Sequence, residues 1–171
     1  TVDASLLQET IPGFHDTPAR LARLERSIAR DARGRVHGAR EEIALALRHR
    51  ALAPLLTAPL EAGAIPLRVT HNDAKIANVL FDAATGQAAM VIDLDTVMPG
   101  SPLFDFGDLV RSSVSRAAED ATDLAQVVAE PELYAAVLEG YLTGTGGLLT
   151  PMEQGLLEPA GRVITWEQAI R

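Results

Sequence analysis

Cysteine is absent from this chain of 171 residues. That absence excludes disulfides, thiolate zinc sites and cysteine nucleophiles together, and it fits a cytoplasmic protein. Aromatic residues are scarce, at 4%, so aliphatic side chains and alanine are expected to do most of the packing. Positive charge is in deficit: Lys+Arg is 15 against Asp+Glu 23, a net charge of -8. Nucleic acids and anionic membranes need basic patches, so neither is expected as a partner. Local phosphate binding, through a metal ion or one lysine, stays open. Long apolar runs are missing too. The most apolar region, Ala51 to Leu67, is broken by Pro54, Pro59 and Glu61, and nothing resembles a signal peptide or a membrane span.

What is present suits a globular protein. The hydrophobic fraction is 47%, and the length is enough for one domain with a real core. A single domain over 1–171 is expected. Thr1 stands where methionine would, and a helical pattern is still running at Arg171. Both lead us to expect a piece of a longer protein.

Local signals divide the chain. "TPARLARLERSIARDARG" reads as a helix with Thr17 as its cap, Pro18 at its first position and Gly34 as its stop. "REEIALALRHRALAPLL" reads as a second helix, bent or ended near Pro54. The texture then changes. "PLRVTH" is short and β-branched. "NVLFD" and "AAMVID" are apolar runs joined by "AATGQ", a β-hairpin signature. Helices return at "PLFDFGDLVRSSVSRA", opened by Ser101, and at "PELYAAVLEGYL". In "TPMEQGLLEPAGRVITWEQAIR", Thr150 and Glu153 form a capping-box pattern. The fold class expected is α+β, mainly helical, with one small hairpin near the middle.

Just before that hairpin lies "HNDAKIAN", which spells H-x-D-x-K-x-x-N. Phosphoryl transfer to a hydroxyl has few needs. A carboxylate orients or accepts the hydroxyl proton, and cations neutralise charge on the moving phosphate. Asp73 can be the carboxylate. Lys75 can reach a phosphate oxygen, and Asn78 can offer an amide oxygen to Mg²⁺. His71 is expected to brace the loop. Mg²⁺ also favours a carboxylate ligand, and "VIDLDT" supplies Asp93 where the hairpin returns. Asp95 falls on the same side if the strand continues. Phe14, His15 and Asp16, in the polar-aromatic stretch "IPGFHDTP", are candidates for touching a substrate, or equally for stapling and capping the helix that follows.

"HNDAKIAN" resembles the catalytic loop of protein kinases and, more closely, of the aminoglycoside phosphotransferase and choline kinase group. "VIDLDTVMPGSPLFDFGDLVR" is similar to that group's metal segment and the helix after it. With "IPGFHDTPARL" and "IPLRVTHND", the likeness is greatest to N-acetylhexosamine 1-kinases. It runs from about Ile11 to the end. The resemblance implies the C-terminal lobe of a protein-kinase-like fold, whose hairpin region carries the catalytic and metal residues. It implies an ATP donor and a small-molecule acceptor such as an amino sugar. It implies Asp73 as catalytic base, Asn78 and Asp93 on Mg²⁺, and Asp105 anchoring the catalytic loop.

Two stretches look like sites and are expected to be structural. "DFG" at Asp105 to Gly107 lies beyond the hairpin in a helical pattern, and "GTGG" at Gly144 to Gly147 separates two helices. No glycine-rich loop and strand lysine of a nucleotide lobe are found, so the isolated chain is expected to be inactive. Removal of a lobe would also expose a face suited to homodimer formation. Other acceptors, such as aminoglycosides, choline or homoserine, remain alternatives, as does a non-catalytic binding lobe. A sugar sulfatase is disfavoured: in "DTPAR", Asp16 stands where that chemistry needs a cysteine or serine nucleophile.

Overall fold

The computed structural model describes residues 3–118 and 120–171. Helix α1 (Thr17–Arg30) follows a loop and a 3-10 turn at Ala4–Leu6. Its cap is Asp16, whose carboxylate accepts from the Ala19 N–H at 2.8 Å. Both Asp16 and Thr17 are good capping residues, and the choice falls to Asp16 because Thr17 is turned into the core. The helix stops short of Gly34, at Asp31, which adopts a left-handed conformation with φ 37°.

The expected second helix is three pieces: α2 (Arg40–Arg48), a 3-10 turn at Arg50–Leu52, and α3 (Pro54–Glu61). Pro54 begins α3 rather than ending α2, as a residue with fixed φ and no N–H can. Strand β1 (Arg68–Thr70) leads into the polar loop. After it, β2 (Val79–Phe81) and β3 (Ala88–Val91) pair antiparallel as the hairpin.

A second strand pair had no signal in the sequence. Strand β4 (Met98–Gly100) pairs antiparallel with β1, setting Val69 against Pro99. Proline cannot donate to a ladder and is tolerated because, among the described residues, this sheet has two strands, both of them edges.

The core lies between α4 (Pro102–Ser113), α5 (Pro131–Thr145) and α7 (Leu157–Ala169), with the short α6 (Pro151–Gly155) before α7. Ser101 caps α4, and the Thr150–Glu153 capping box opens α6. Leu103, Phe106, Val163 and Ile164 are fully buried, each contributing about 2 kcal/mol by transfer from water. Helices α4 and α7 approach closely because both carry glycine at the crossing. A Cβ on Gly107 would overlap Ile164 and the Ala160 carbonyl, and one on Gly161 would overlap Val110. Phe106 and Gly107 of "DFG" therefore serve packing.

Three aromatics meet in this core. Phe106 meets Tyr134 and Tyr141, and the Tyr141 hydroxyl donates to the Pro102 carbonyl at 2.7 Å. "GTGG" is a helix end followed by a turn, with Gly146 and Gly147 at positive φ. No helix of the described residues is long and apolar enough to cross a membrane.

Candidate active site

The polar loop runs from the end of β1 to the start of β2. Asn72 turns the chain with φ 64°, a conformation asparagine tolerates better than most residues. One carboxylate holds this turn. Asp105, in the first turn of α4, accepts from the backbone N–H of His71 at 3.0 Å and of Asn72 at 2.6 Å. Burial pushes its carboxyl above the ordinary carboxylate value, and those two N–H bonds oppose the rise. Two turns further along α4, Ser112 Oγ accepts from the Ile76 N–H at 2.9 Å while donating to the Asp108 carbonyl. Helix α4 thus grips the loop on both sides of Asp73.

His71 links the loop to the hairpin. Its Nε2 donates to the Ile92 carbonyl at 2.9 Å, and its Nδ1 accepts from the Asp73 N–H at 3.3 Å. Both bonds are made by one neutral tautomer.

Around Asp73 the polar groups converge. Lys75 Nζ lies 2.8 Å from Asp73 Oδ2. Asn78 Nδ2 donates to Asp73 Oδ2 at 3.0 Å and to its carbonyl at 2.9 Å. These bonds assign the Asn78 amide nitrogen to Asp73 and leave the amide oxygen as its acceptor for other groups. The Ile92 N–H donates to the Asn78 carbonyl at 2.9 Å, so Asp93 follows the residue that Asn78 pairs with. Asp93 is exposed and left-handed, with φ 66°.

Strand geometry does not continue to Asp95. Strand β3 ends at Val91, and Leu94–Thr96 forms a 3-10 turn. The Asp95 side chain is exposed, while its carbonyl accepts from Thr10 Oγ1 at 3.3 Å. The candidate residues accordingly flank the hairpin instead of lying in its strands: Asp73 precedes it, Asn78 is in a 3-10 turn at Ile76–Asn78, and Asp93 comes after β3.

Asn78 and Asp93 offer hard oxygen donors, which fit Mg²⁺ better than softer metals. Among the described residues no group of three or more His, Cys, Asp or Glu could hold a metal. Mg²⁺ bound by one or two protein oxygens plus phosphates and water needs no such cage.

The stretch Phe14–Asp16 is arranged for support. Asp16 caps α1, and His15 is buried with both ring nitrogens engaged. Phe14 meets His15 edge-on, and the Arg171 guanidinium lies over its ring. All three do border a cleft of about 350 Å³ that Asn72, Pro99 and Gly100 also line.

Other residues at the site gave weaker signals. Asp108 is buried near Asp73 and paired with Arg111 Nε at 2.9 Å. Burial pushes its carboxyl up, Arg111 opposes that, and the charge of Asp73 adds to it. Gly100 is needed because a Cβ there would overlap Thr70 Oγ1 and Asn72 Oδ1. The preference of asparagine for left-handed turns was the one available clue to Asn72. Ser112 had none.

Asp73 is thus a carboxylate held between a lysine and an amide, on a loop clamped by a buried helix. Residues 4–149 match the Phosphotransferase enzyme family, and the chain belongs to that family.

Proposed function

We propose that the chain forms the acceptor and metal side of an ATP-dependent small-molecule kinase. The observation that carries this reading is the Asp73 carboxylate within 2.8 Å of Lys75 Nζ and 3.0 Å of Asn78 Nδ2. Asp73 orients the acceptor hydroxyl and takes its proton as the phosphate arrives. The Lys75 ammonium exchanges part of its contact with Asp73 for a phosphate oxygen. Asn78 and Asp93 would hold Mg²⁺, which supplies charge neutralisation on the phosphates. Asp105, His71 and Ser112 keep the loop from rearranging, so catalysis is mainly positioning and electrostatics.

The acceptor we favour is an amino sugar such as an N-acetylhexosamine. The likeness of "IPGFHDTPARL" and "VIDLDTVMPGSPLFDFGDLVR" to N-acetylhexosamine 1-kinases supports it. Glycine-rich phosphate cover and a strand lysine are absent from the 171 residues. We therefore assign them to a second lobe in a longer polypeptide and expect the isolated chain to be inactive. The exposed apolar hairpin beside the site is where that lobe, or a second copy in a homodimer, would pack. The lack of cysteine favours a cytoplasmic setting.

The test is turnover of ATP by the longer polypeptide against a panel of amino sugars, aminoglycosides, choline and homoserine. Phosphorylation of an amino sugar, lowered roughly a hundredfold or more by Asp73→Asn, is expected. Normal turnover by that variant would overturn the assignment.

A further inference from the structure

His15 is 7% exposed, and its imidazole is surrounded by partners. Nδ1 lies 2.9 Å from Glu167 Oε1 in α7. Nε2 lies 2.9 Å from the Asn72 carbonyl oxygen. The ring stacks on Phe104 at 4.5 Å, and Phe14 meets its edge at 4.9 Å. A carbonyl oxygen only accepts, so Nε2 is the donor in the contact with Asn72.

Glu167 is set up as the counter-charge. It is 1% exposed. Burial alone would push its carboxyl up, but hydrogen bonds from His15 and Thr17, with the charges of His15 and Arg20, hold it below the ordinary value. A buried contact between residues 152 positions apart thus continues to the carbonyl just ahead of Asp73.

The rest of Asn72 is already fastened. Its N–H goes to Asp105, its Nδ2 to the carbonyls of Thr70 and Thr96, and its Oδ1 accepts from Thr70 Oγ1. The carbonyl belongs to the next peptide unit, which also carries the Asp73 N–H. That unit is planar and turns as one body. His15 holds its C=O, and His71 holds its N–H. Two histidines from distant parts of the chain therefore fix one peptide plane, and that plane sets where the Asp73 side chain starts.

We propose that His15, backed by Glu167, is a positioning residue that locks the Asn72–Asp73 peptide plane and so aims the Asp73 carboxylate at the acceptor. The functional half rests on the phosphotransferase reading; the clamp itself does not. His15→Leu removes the donor to Asn72. His15→Gln keeps a side-chain N–H near the place of Nε2. Glu167→Gln keeps the shape and removes the counter-charge.

Two measurements decide it. In the 171-residue chain, nitrogen-15 spectra of the histidine rings should show a proton on Nε2 of His15. The Asp73 amide resonance should move in His15→Leu and stay near its native position in His15→Gln. In turnover by the longer polypeptide, His15→Leu should lower kcat roughly ten- to a hundredfold with KM for ATP little changed. His15→Gln should recover most of that loss, and Glu167→Gln should fall between the two. A His15 ring without a proton on Nε2, or a His15→Leu protein with native kcat and an unmoved Asp73 amide, would overturn the proposal. If the native protein phosphorylates no acceptor, the phosphotransferase reading fails, and the spectra still decide the clamp. Should His15→Leu not fold, Glu167→Gln and His15→Gln carry both measurements.

Discussion

The loop at 70–78 and the hairpin at 79–91 are neighbours held by opposite means. In the loop, the backbone N–H groups of His71, Asn72, Asp73 and Ile76 all go to side chains, and three of those four bonds come from α4. In the hairpin, the strands hold each other through the ladder, and their large apolar side chains face outward. Leu80, Phe81, Met90 and Val91 are between 46% and 60% exposed. Polar bonds from remote elements fix the loop to one geometry. The hairpin keeps a surface that still has apolar area to bury. Rigidity and unmet burial are thus separated along a short stretch of chain.

Asp105→Ala should break this contrast most severely. It leaves the His71 and Asn72 N–H groups without their acceptor in a buried turn, at a cost of about 3 kcal/mol. Urea unfolding would read that loss, and hydrogen exchange would show the loop loosening toward the hairpin's level. Gly100→Ala comes next, at about 2 kcal/mol, because its methyl meets Asn72 and Thr70. A thermal melt would show it.

The third prediction concerns acid. Arg68 in β1 binds Glu153 in a bidentate pair at 3.0 Å and so ties the strand ahead of the loop to α6. Burial alone would raise the Glu153 carboxyl, but its bonds to Arg68 and Thr150 hold it below the ordinary value of 4.5. A carboxyl with a lowered folded-state pKa stabilises the fold above its ordinary value, and that stability is lost as pH falls through the lowered one. Glu153→Gln should cost about 1.5 kcal/mol at neutral pH. It should also lose less stability than the native chain on acidification below 4.5. Asp105 has the opposite sign: its raised carboxyl contributes stability at low pH that is lost as pH rises through the raised value. Unfolding curves across pH would separate the two.

The smallest effect is expected in the hairpin. Phe81→Ser or Met90→Ser should change stability by less than about 0.5 kcal/mol, since neither side chain is buried. Sedimentation of the same variants would sharpen the comparison. Weaker self-association, or weaker docking of a second lobe, would mark the hairpin as the covered face.

What the sequence disclosed follows the range of the interactions involved. Caps at Ser101 and Thr150, the hairpin turn and the spacing of "HNDAKIAN" are local, and each was readable from a few adjacent letters. Strand β4 was not, because "MPG" becomes a strand only by meeting β1 some thirty positions earlier. The partition of Asp16 and Thr17 was hidden for a related reason: Thr17 donates to Glu167, 150 positions away. His15 shows the limit most clearly. Its letters suggested either a substrate contact or a staple, and its actual partners are set by α7 and Asn72, which no local pattern names.

Lys75 is the only lysine in the chain. Within these 171 residues, amine-directed chemistry therefore has one side-chain address. Reductive methylation with carbon-13 would place a single side-chain label 2.8 Å or so from the Asp73 carboxylate, measured at the native nitrogen. Its resonance would report on Mn²⁺ through paramagnetic broadening and on acceptor binding. The composition has supplied, without any engineering, one reporter in the place where one is wanted.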